Sequence, residues 1–365
     1  MKMKTYLKLL SVICTVILFS SCGNADDDVN FDINQAGSLG LGKTVDQCLD
    51  LGENDLVLSI QDQFTSLPAK VSVFFKVSDK TGSPVPGLTA EQFTIYEQGR
   101  NDECFNTISA SESFARISPN SQIFNNSTLL VLDLSNSVLS NSLDELNSAT
   151  TSFITNVMPE TEEDSFKMAI YWFDGEDKLH LLNPLTASRD ELIAAVAEIT
   201  ATISNDPSTD LYGAVIKSSN IASDLLLEST NNNNIGATSV VVFTDGTDQA
   251  SRYSEEEALQ IVNESDSNIS YFAIGLGSEI DTEILMKIGK TSSVFAGSTE
   301  ELETTFNDIS LRVNEQANSF YLFEYCTPKR DGSGENNLVI QVKNGNLQGG
   351  VQTKFDTAGF TGGCQ

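Results

Sequence analysis

The residues best suited to chemistry lie at the end of an apolar run, Leu129 to Leu132. Asp133, Ser135 and Ser137 follow this run at alternate positions. Such a run predicts a buried parallel strand, and the carboxyl ends of these strands form the binding edge of open α/β sheets. One carboxylate and two hydroxyls in one loop offer hard oxygen ligands, which suit Mg²⁺ better than Zn²⁺ or copper. The sequence therefore predicts a cation site at this strand end.

Two later segments have the same character. The segment with Thr209 opens a helical pattern, and the apolar residues Val240 to Phe243 belong to a second predicted buried strand, which ends in Asp245. Together with the first loop, these segments resemble the von Willebrand factor A domain and its metal-ion-dependent adhesion site, over residues 127–319. The resemblance implies a site for Mg²⁺ or Mn²⁺ with an open coordination position, which a Glu or Asp of a protein partner fills. Carried over by position, it implies the metal ligands Asp133, Ser135, Ser137, Thr209 and Asp245.

Neighbouring polar residues have simpler explanations. The alternative to a cation site is a capped strand end whose Ser hydroxyls satisfy helix amides. Asp210 lies in a first helical turn, where the helix dipole favours an acid, so we favour that role over a contact with the cation. We expect Asp248 to lie in a solvated loop, Trp172 to belong to the core, and His180 to be a packed or surface residue because no second His or Cys cluster accompanies it.

Residues 1–21 have the features of a targeting segment. Lysines are followed by an apolar run, Leu9 to Phe19, which is too short to span a bilayer comfortably. Cys22 then resembles the acylated cysteine of a bacterial lipoprotein, although Phe19 stands where the usual pattern has Leu. A plain secretory signal is the alternative. Lipidation would anchor the protein to a membrane through acyl chains only.

The predicted tether, residues 22–45, is acidic and reads as disordered. Asp26 to Asp28 resemble the signal of lipoproteins sent to the cell surface in some Gram-negative bacteria. We therefore expect an outer-membrane lipoprotein at the cell surface, with the periplasmic face as the alternative.

The charge balance excludes one class of partner. The chain has 51 acidic and 21 basic residues, a net charge of −30, and loss of residues 1–21 removes three Lys and makes it −33. Such a balance argues against a nucleic-acid surface. It does attract divalent cations diffusely, so weak additional Ca²⁺ binding is expected.

Four cysteines remain after the targeting segment and Cys22 are set aside: Cys48, Cys104, Cys326 and Cys364. An even number in an oxidising compartment predicts disulfides, and four cysteines allow three pairings. Two precede the cation-binding domain and two follow it. We therefore expect the flanks to form one module, with at least one bridge from Cys48 or Cys104 to Cys326 or Cys364.

Strand and helix patterns predict the fold. Helical and strand patterns alternate over residues 127–319, which predicts an α/β fold, a doubly wound and mostly parallel sheet with helices on both faces. Residues 46–115 form a β-rich module, and residues 320–365 supply three strands, the last two joined as a hairpin at Asn344-Gly345. The domain is thus inserted in, or flanked by, a small antiparallel β-sandwich. Asn106 to Asn126 is predicted to be the linker that enters it.

The leading hypothesis is a non-enzymatic protein that binds a partner through the cation. A structural or assembly subunit under the outer membrane is the alternative. A hydrolase is disfavoured because no Ser-His-Asp arrangement is apparent around the single histidine, and neither a Gly-x-Ser-x-Gly nor a His-Glu-x-x-His pattern occurs.

Overall fold

The computed structural model describes residues 42–108, 115–118, 124–232, 234–329 and 334–362. The targeting segment, Cys22, most of the predicted tether and Cys364 lie outside these ranges. Across the described ranges, every helix is too short or too polar to cross a membrane.

Strands and helices follow one another along the described chain. The strands are β1 Leu56–Ser66, β2 Lys70–Asp79, β3 Phe93–Gln98, β4 Asn106–Ile108, β5 Arg116–Ser118, β6 Phe124–Asp133, β7 Phe166–Phe173, β8 His180–Thr186, β9 Ile235–Thr244, β10 Ile269–Leu276, β11 Ser292–Ala296, β12 Phe320–Cys326, β13 Glu335–Asn344 and β14 Leu347–Asp356. The α-helices are α1 Asn136–Asn141, α2 Leu143–Val157, α3 Arg189–Val196, α4 Leu211–Asn231, α5 Glu255–Glu264, α6 Thr282–Ile288 and α7 Leu302–Ala317.

A six-stranded sheet forms the centre of the α/β domain, in the order β11-β10-β9-β6-β7-β8. All neighbours are parallel except β7 and β8, which pair antiparallel. The central strand β6 buries both faces: Leu130 and Leu132 enter one hydrophobic core, and Leu129 and Val131 enter the other. A strand covered by helices on both faces has no solvent side there, which is why residues Leu129 to Leu132 are all apolar.

Two four-stranded antiparallel sheets, β1-β2-β12-β5 and β14-β13-β3-β4, pack face to face beside this domain. Strands from before and after the α/β domain interleave, because β12 lies between β2 and β5, and β13 lies between β14 and β3. Their inward residues, such as Phe75, Ile95 and Ile340, share one core. The predicted fold class, a mostly parallel α/β sheet with a flanking antiparallel sandwich, is confirmed.

The segment predicted to be a linker, Asn106 to Asn126, contains regular structure. Its described parts include β4, which pairs with β3, and β5, which pairs with β12. The linker prediction is wrong for these residues. Strands of three residues bury too few side chains to give a periodic pattern, so their pairing comes from neighbours distant in sequence.

The predicted bridge between the flanks through Cys48 or Cys104 is also wrong. Cys48 pairs with Cys104, with Cα atoms 5.8 Å apart, so both partners precede the α/β domain. Cys326 is disulfide-bonded as well, and Cys364 lies outside the described residues. The two flanks are held together by strand pairing and a shared core, and a bridge at Cys48 is not needed for that.

Candidate metal site at the strand ends

The predicted cation ligands meet at the point where the strand order of the sheet reverses. From β6 the chain runs to β7 on one side, and it returns later to β9 on the other side. Asp133 ends β6, and Thr244 ends the neighbouring parallel strand β9. A crevice opens between such strands at their carboxyl ends, and ligands bind there in α/β folds.

Asp133 is fully buried at the base of this crevice. One carboxylate oxygen accepts the backbone N–H of Ser135 at 2.9 Å, and the other accepts the hydroxyl of Thr244 at 2.6 Å. Both oxygens are therefore oriented by the first and third loops. Thr244 was not singled out from the sequence, although its position directly before Asp245 at a strand end was the available signal.

The two serines and Asp245 form a continuous polar chain. Ser135 Oγ lies 3.3 Å from Ser137 Oγ, and the Ser137 hydroxyl donates to Asp245 Oδ1 at 2.9 Å. Ser135 is buried and Ser137 is exposed, so this row of oxygens leads from the buried base of the site to solvent. The structure thus brings together Asp133, both serines and Asp245.

Thr209 belongs to the loop before α4 and is buried beside the third loop. Its carbonyl accepts the backbone N–H groups of Gln249 at 2.8 Å and Ala250 at 3.0 Å. A Cβ added to Gly246 would lie 4.0 Å from Thr209 Oγ1, so the threonine hydroxyl lies close to the residue that follows Asp245. The second and third loops are therefore joined, with the Thr209 hydroxyl at the same strand edge.

The two carboxylates resist ionisation without a counter-charge. The pKa of Asp133 is raised to about 7, chiefly by burial; hydrogen bonds from Thr244 and Ser135 oppose the rise, and the nearby Asp245 adds to it. The pKa of Asp245 is also raised, first by burial and then by Glu279. Taking an anion out of water disfavours its charged form, and a bound cation reverses that preference.

The donor set fits a hard divalent cation. Octahedral Mg²⁺ with bonds of about 2.1 Å places adjacent ligand oxygens about 3.0 Å apart. The spacings of 3.3 Å between the serine hydroxyls and 2.9 Å from Ser137 to Asp245 are close to that value. Asp133, Ser135, Ser137, Thr209 and Asp245 would hold such an ion, and two carboxylates would balance its charge.

Two acids beside these loops have structural partners. Asp210 is buried, and its carboxylate accepts a hydrogen bond at 3.1 Å from Lys217, which belongs to α4. Its carboxylate occupies the space that a Cβ on Gly213 would need, because that Cβ would lie 2.1 Å from Asp210 Oδ2. Asp248 was expected in a solvated loop, yet it accepts the backbone N–H of Tyr212 at 3.1 Å and so caps α4.

Trp172 belongs to the hydrophobic core, as predicted from the sequence. His180 stacks on Trp172, with ring centroids 3.9 Å apart. Its Nε2 atom faces Asp174 and Glu176, a grouping that the sequence reasoning missed because it looked only for partner His and Cys residues.

Comparison with solved structures finds similar proteins from diverse organisms. A von Willebrand factor type A protein from Catenulispora acidiphila is 11% identical, with a TM-score of 0.44, covering 84% of this chain and 74% of that one. The corresponding domain of the type V pili tip protein Mfa5 from Porphyromonas gingivalis is 11% identical, with a TM-score of 0.41, covering 53% and 96%. Mussel byssus proximal thread matrix protein 1, solved with a zinc-occupied MIDAS motif, is 15% identical, with a TM-score of 0.41, covering 57% and 49%. Sequences this different say nothing about a shared activity.

No curated protein matches the chain significantly. The family model of the von Willebrand factor type A domain matches residues 129–309. That range begins in β6, ends in α7, and contains the three loops whose polar side chains meet at the strand ends. Residues 129–309 therefore form a von Willebrand factor type A domain.

Proposed function

We propose that this protein binds a protein partner, without catalysis, through a divalent cation held by Asp133, Ser135, Ser137, Thr209 and Asp245. The observation that carries the proposal is the row of oxygens from the buried Asp133 to the exposed Ser137 and on to Asp245. Mg²⁺ is the proposed ion, with Mn²⁺ as a substitute and Ca²⁺ as a weaker one.

The exposure of the site explains how a partner would reach the ion. Asp133 closes the inner side, whereas Ser137 and the half-exposed Asp245 border solvent. An octahedral ion with few protein ligands keeps exchangeable waters on its open side. A Glu or Asp side chain of the partner would replace one water and add a negative ligand, so we propose a carboxylate as the recognised group.

The non-enzymatic proposal has its own support. Hydrolysis by a serine needs a base in contact with the hydroxyl. The chain's single histidine, His180, lies against Asp174 and Glu176, where β7 connects to β8. Domains of this family generally act as adhesion and interaction modules.

Location is a further part of the proposal. We propose that acyl chains on Cys22 anchor the protein to the outer membrane and that the acidic tether displays it at the cell surface. Protease added to intact cells then cuts the protein. Protection from protease would favour the alternative, an assembly subunit on the periplasmic face.

The proposal predicts cation-dependent capture of a partner. Immobilised wild-type protein should retain a specific protein from surface extracts in Mg²⁺ and release it on addition of chelator, because the partner's carboxylate needs the ion. Asp133→Ala should retain none, while Asp224→Ala, which removes an exposed acid from the middle of α4, should behave as wild type. Equal retention by wild type and Asp133→Ala, with no effect of chelator on either, would exclude the proposed binding mode.

A further inference from the structure

Three metal-ligating side chains meet outside the site described above. Asp174 directly follows β7, His180 begins β8, and Glu176 lies in the loop between them. Because β7 and β8 pair antiparallel, with Trp172 opposite His180, the loop returns the histidine to the acids. One ligand atom from each of the three residues lies within 4.8 Å of the other two.

The histidine nitrogen at the centre of this group has no hydrogen-bond partner. His180 Nε2 is buried and lies 3.8 Å from Asp174 Oδ1 and 3.4 Å from Glu176 Oε2, but neither oxygen is placed to accept a hydrogen bond from it. A buried polar atom left without a partner destabilises the folded state. Hydrogen bonds from a protonated Nε2 to the two carboxylates therefore do not explain why these three side chains meet.

The surrounding contacts hold the three ligands in place. The His180 ring lies parallel to the Trp172 ring, with an angle of 7° between their planes. Asp174 is fully buried, and its two oxygens accept the backbone N–H of Glu176 at 2.8 Å and the hydroxyl of Ser204 at 2.7 Å. Metal ligands are oriented by such neighbouring hydrogen bonds, which fix the direction of their free lone pairs.

The spacing fits a small transition-metal ion. Tetrahedral Zn²⁺ with bonds of about 2.0 Å places its ligand atoms roughly 3.3 Å apart, close to the 3.4 Å and 3.8 Å measured from His180 Nε2. An imidazole nitrogen favours Zn²⁺ and other transition-metal ions, such as those of Cu, Fe and Ni, over Mg²⁺. We propose that Asp174, Glu176 and His180 form a second metal site, which takes a divalent transition metal such as Zn²⁺ and leaves one coordination position open.

The second site shares no ligand with the first, so it does not rest on the proposed function. The two are nevertheless close in the fold, because the Asp174 carbonyl accepts the backbone N–H of Asp210 at 2.9 Å, one residue after Thr209. Both sites lie at the same edge of the sheet. Their different donor sets, all oxygen in one and oxygen with nitrogen in the other, select different ions.

The single histidine makes the proposal directly testable. The full chain, labelled with ¹⁵N-histidine and carrying no histidine tag, gives one set of imidazole signals. Titration with Zn²⁺ in saturating Mg²⁺ should shift these signals until one equivalent is bound, because Mg²⁺ occupies the oxygen site. The same titration with Asp133→Ala, in which the oxygen site is disrupted, should give the same shifts. Displacement of Mg²⁺ by Zn²⁺ at the oxygen site would then not be their cause.

Two matched variants identify the ligands. Glu176→Gln keeps the side-chain shape and removes one ligand charge, so it should weaken Zn²⁺ binding at least tenfold. Glu162→Gln makes the same change at an exposed position and should leave the binding curve unchanged. Imidazole signals that do not respond to Zn²⁺, or equal affinities in the two variants, would overturn the proposal.

Discussion

Asp133→Asn is expected to weaken Mg²⁺ and Mn²⁺ binding by at least 100-fold. The substitution keeps the shape of a fully buried side chain that holds the Ser135 backbone N–H and the Thr244 hydroxyl. It removes one of the two negative charges that would balance the ion. Loss of a full charge at a site shielded from water costs more than loss of a neutral ligand. Isothermal titration calorimetry measures the change directly.

A graded series separates charge from geometry. Ser137→Ala removes a neutral and exposed ligand, so we expect a smaller loss of affinity, on the order of tenfold. Asp224→Asn, an exposed acid on α4, controls for the general attraction of a strongly acidic chain for cations. Binding that falls as much in Asp224→Asn as in Asp133→Asn would mean that the ion is held diffusely.

Gly349→Ala is expected to destabilise the folded state by about 3 kcal/mol, the upper part of the usual range for overpacking. A Cβ at Gly349 would lie 1.9 Å from the carbonyl oxygen of Leu56, where β14 of one sheet approaches the start of β1 in the other. The obstacle is backbone, which no change of rotamer can move. Leu56 is itself buried, so its displacement would also open the sandwich core.

Urea unfolding of matched alanine variants measures this effect. Gly362→Ala adds the same methyl group in open space and should lie within about 0.5 kcal/mol of wild type. Equal stability of Gly349→Ala and Gly362→Ala would show that β1 and β14 do not approach as closely as described.

The central sheet could be predicted because its signals are local. Leu129 and Val131 enter one core and Leu130 and Leu132 the other, so this part of β6 is an unbroken apolar run in the sequence. The polar residues that follow must then emerge at its carboxyl end, next to those that follow β9. The grouping of Asp133 with Asp245 follows from parallel strand pairing, which the alternation of strands and helices already indicated.

The flanking sandwich was harder to predict because its pairings join distant segments. β5 and β12 pair over Arg116 to Ser118, although about two hundred residues separate them. The disulfide prediction failed for a related reason: sequence order suggested that Cys48 should bridge the flanks, whereas proximity in the folded chain decides, and it places Cys104 beside Cys48.

The group at Asp174, Glu176 and His180 depends on a strand connection. Their spacing in sequence does not distinguish a helix from a loop, and only the antiparallel return of β8 along β7 brings the imidazole back to Asp174. The missing signal was the combination of one His with two acids across a predicted turn. To find a metal site with a single histidine from sequence, one needs the predicted pairing of the two strands as well as the residue types.

The most direct measurement is the anomalous difference map of crystals soaked in Mn²⁺. We expect a peak bounded by Asp133, Ser135, Ser137, Thr209 and Asp245, within about 2.5 Å of both serine hydroxyls, and we expect Asp133→Asn crystals to lack it. A wild-type map with no peak among these side chains, or with Mn²⁺ bound only elsewhere on the acidic surface, would contradict the assignment of the strand-end loops as a cation-binding site.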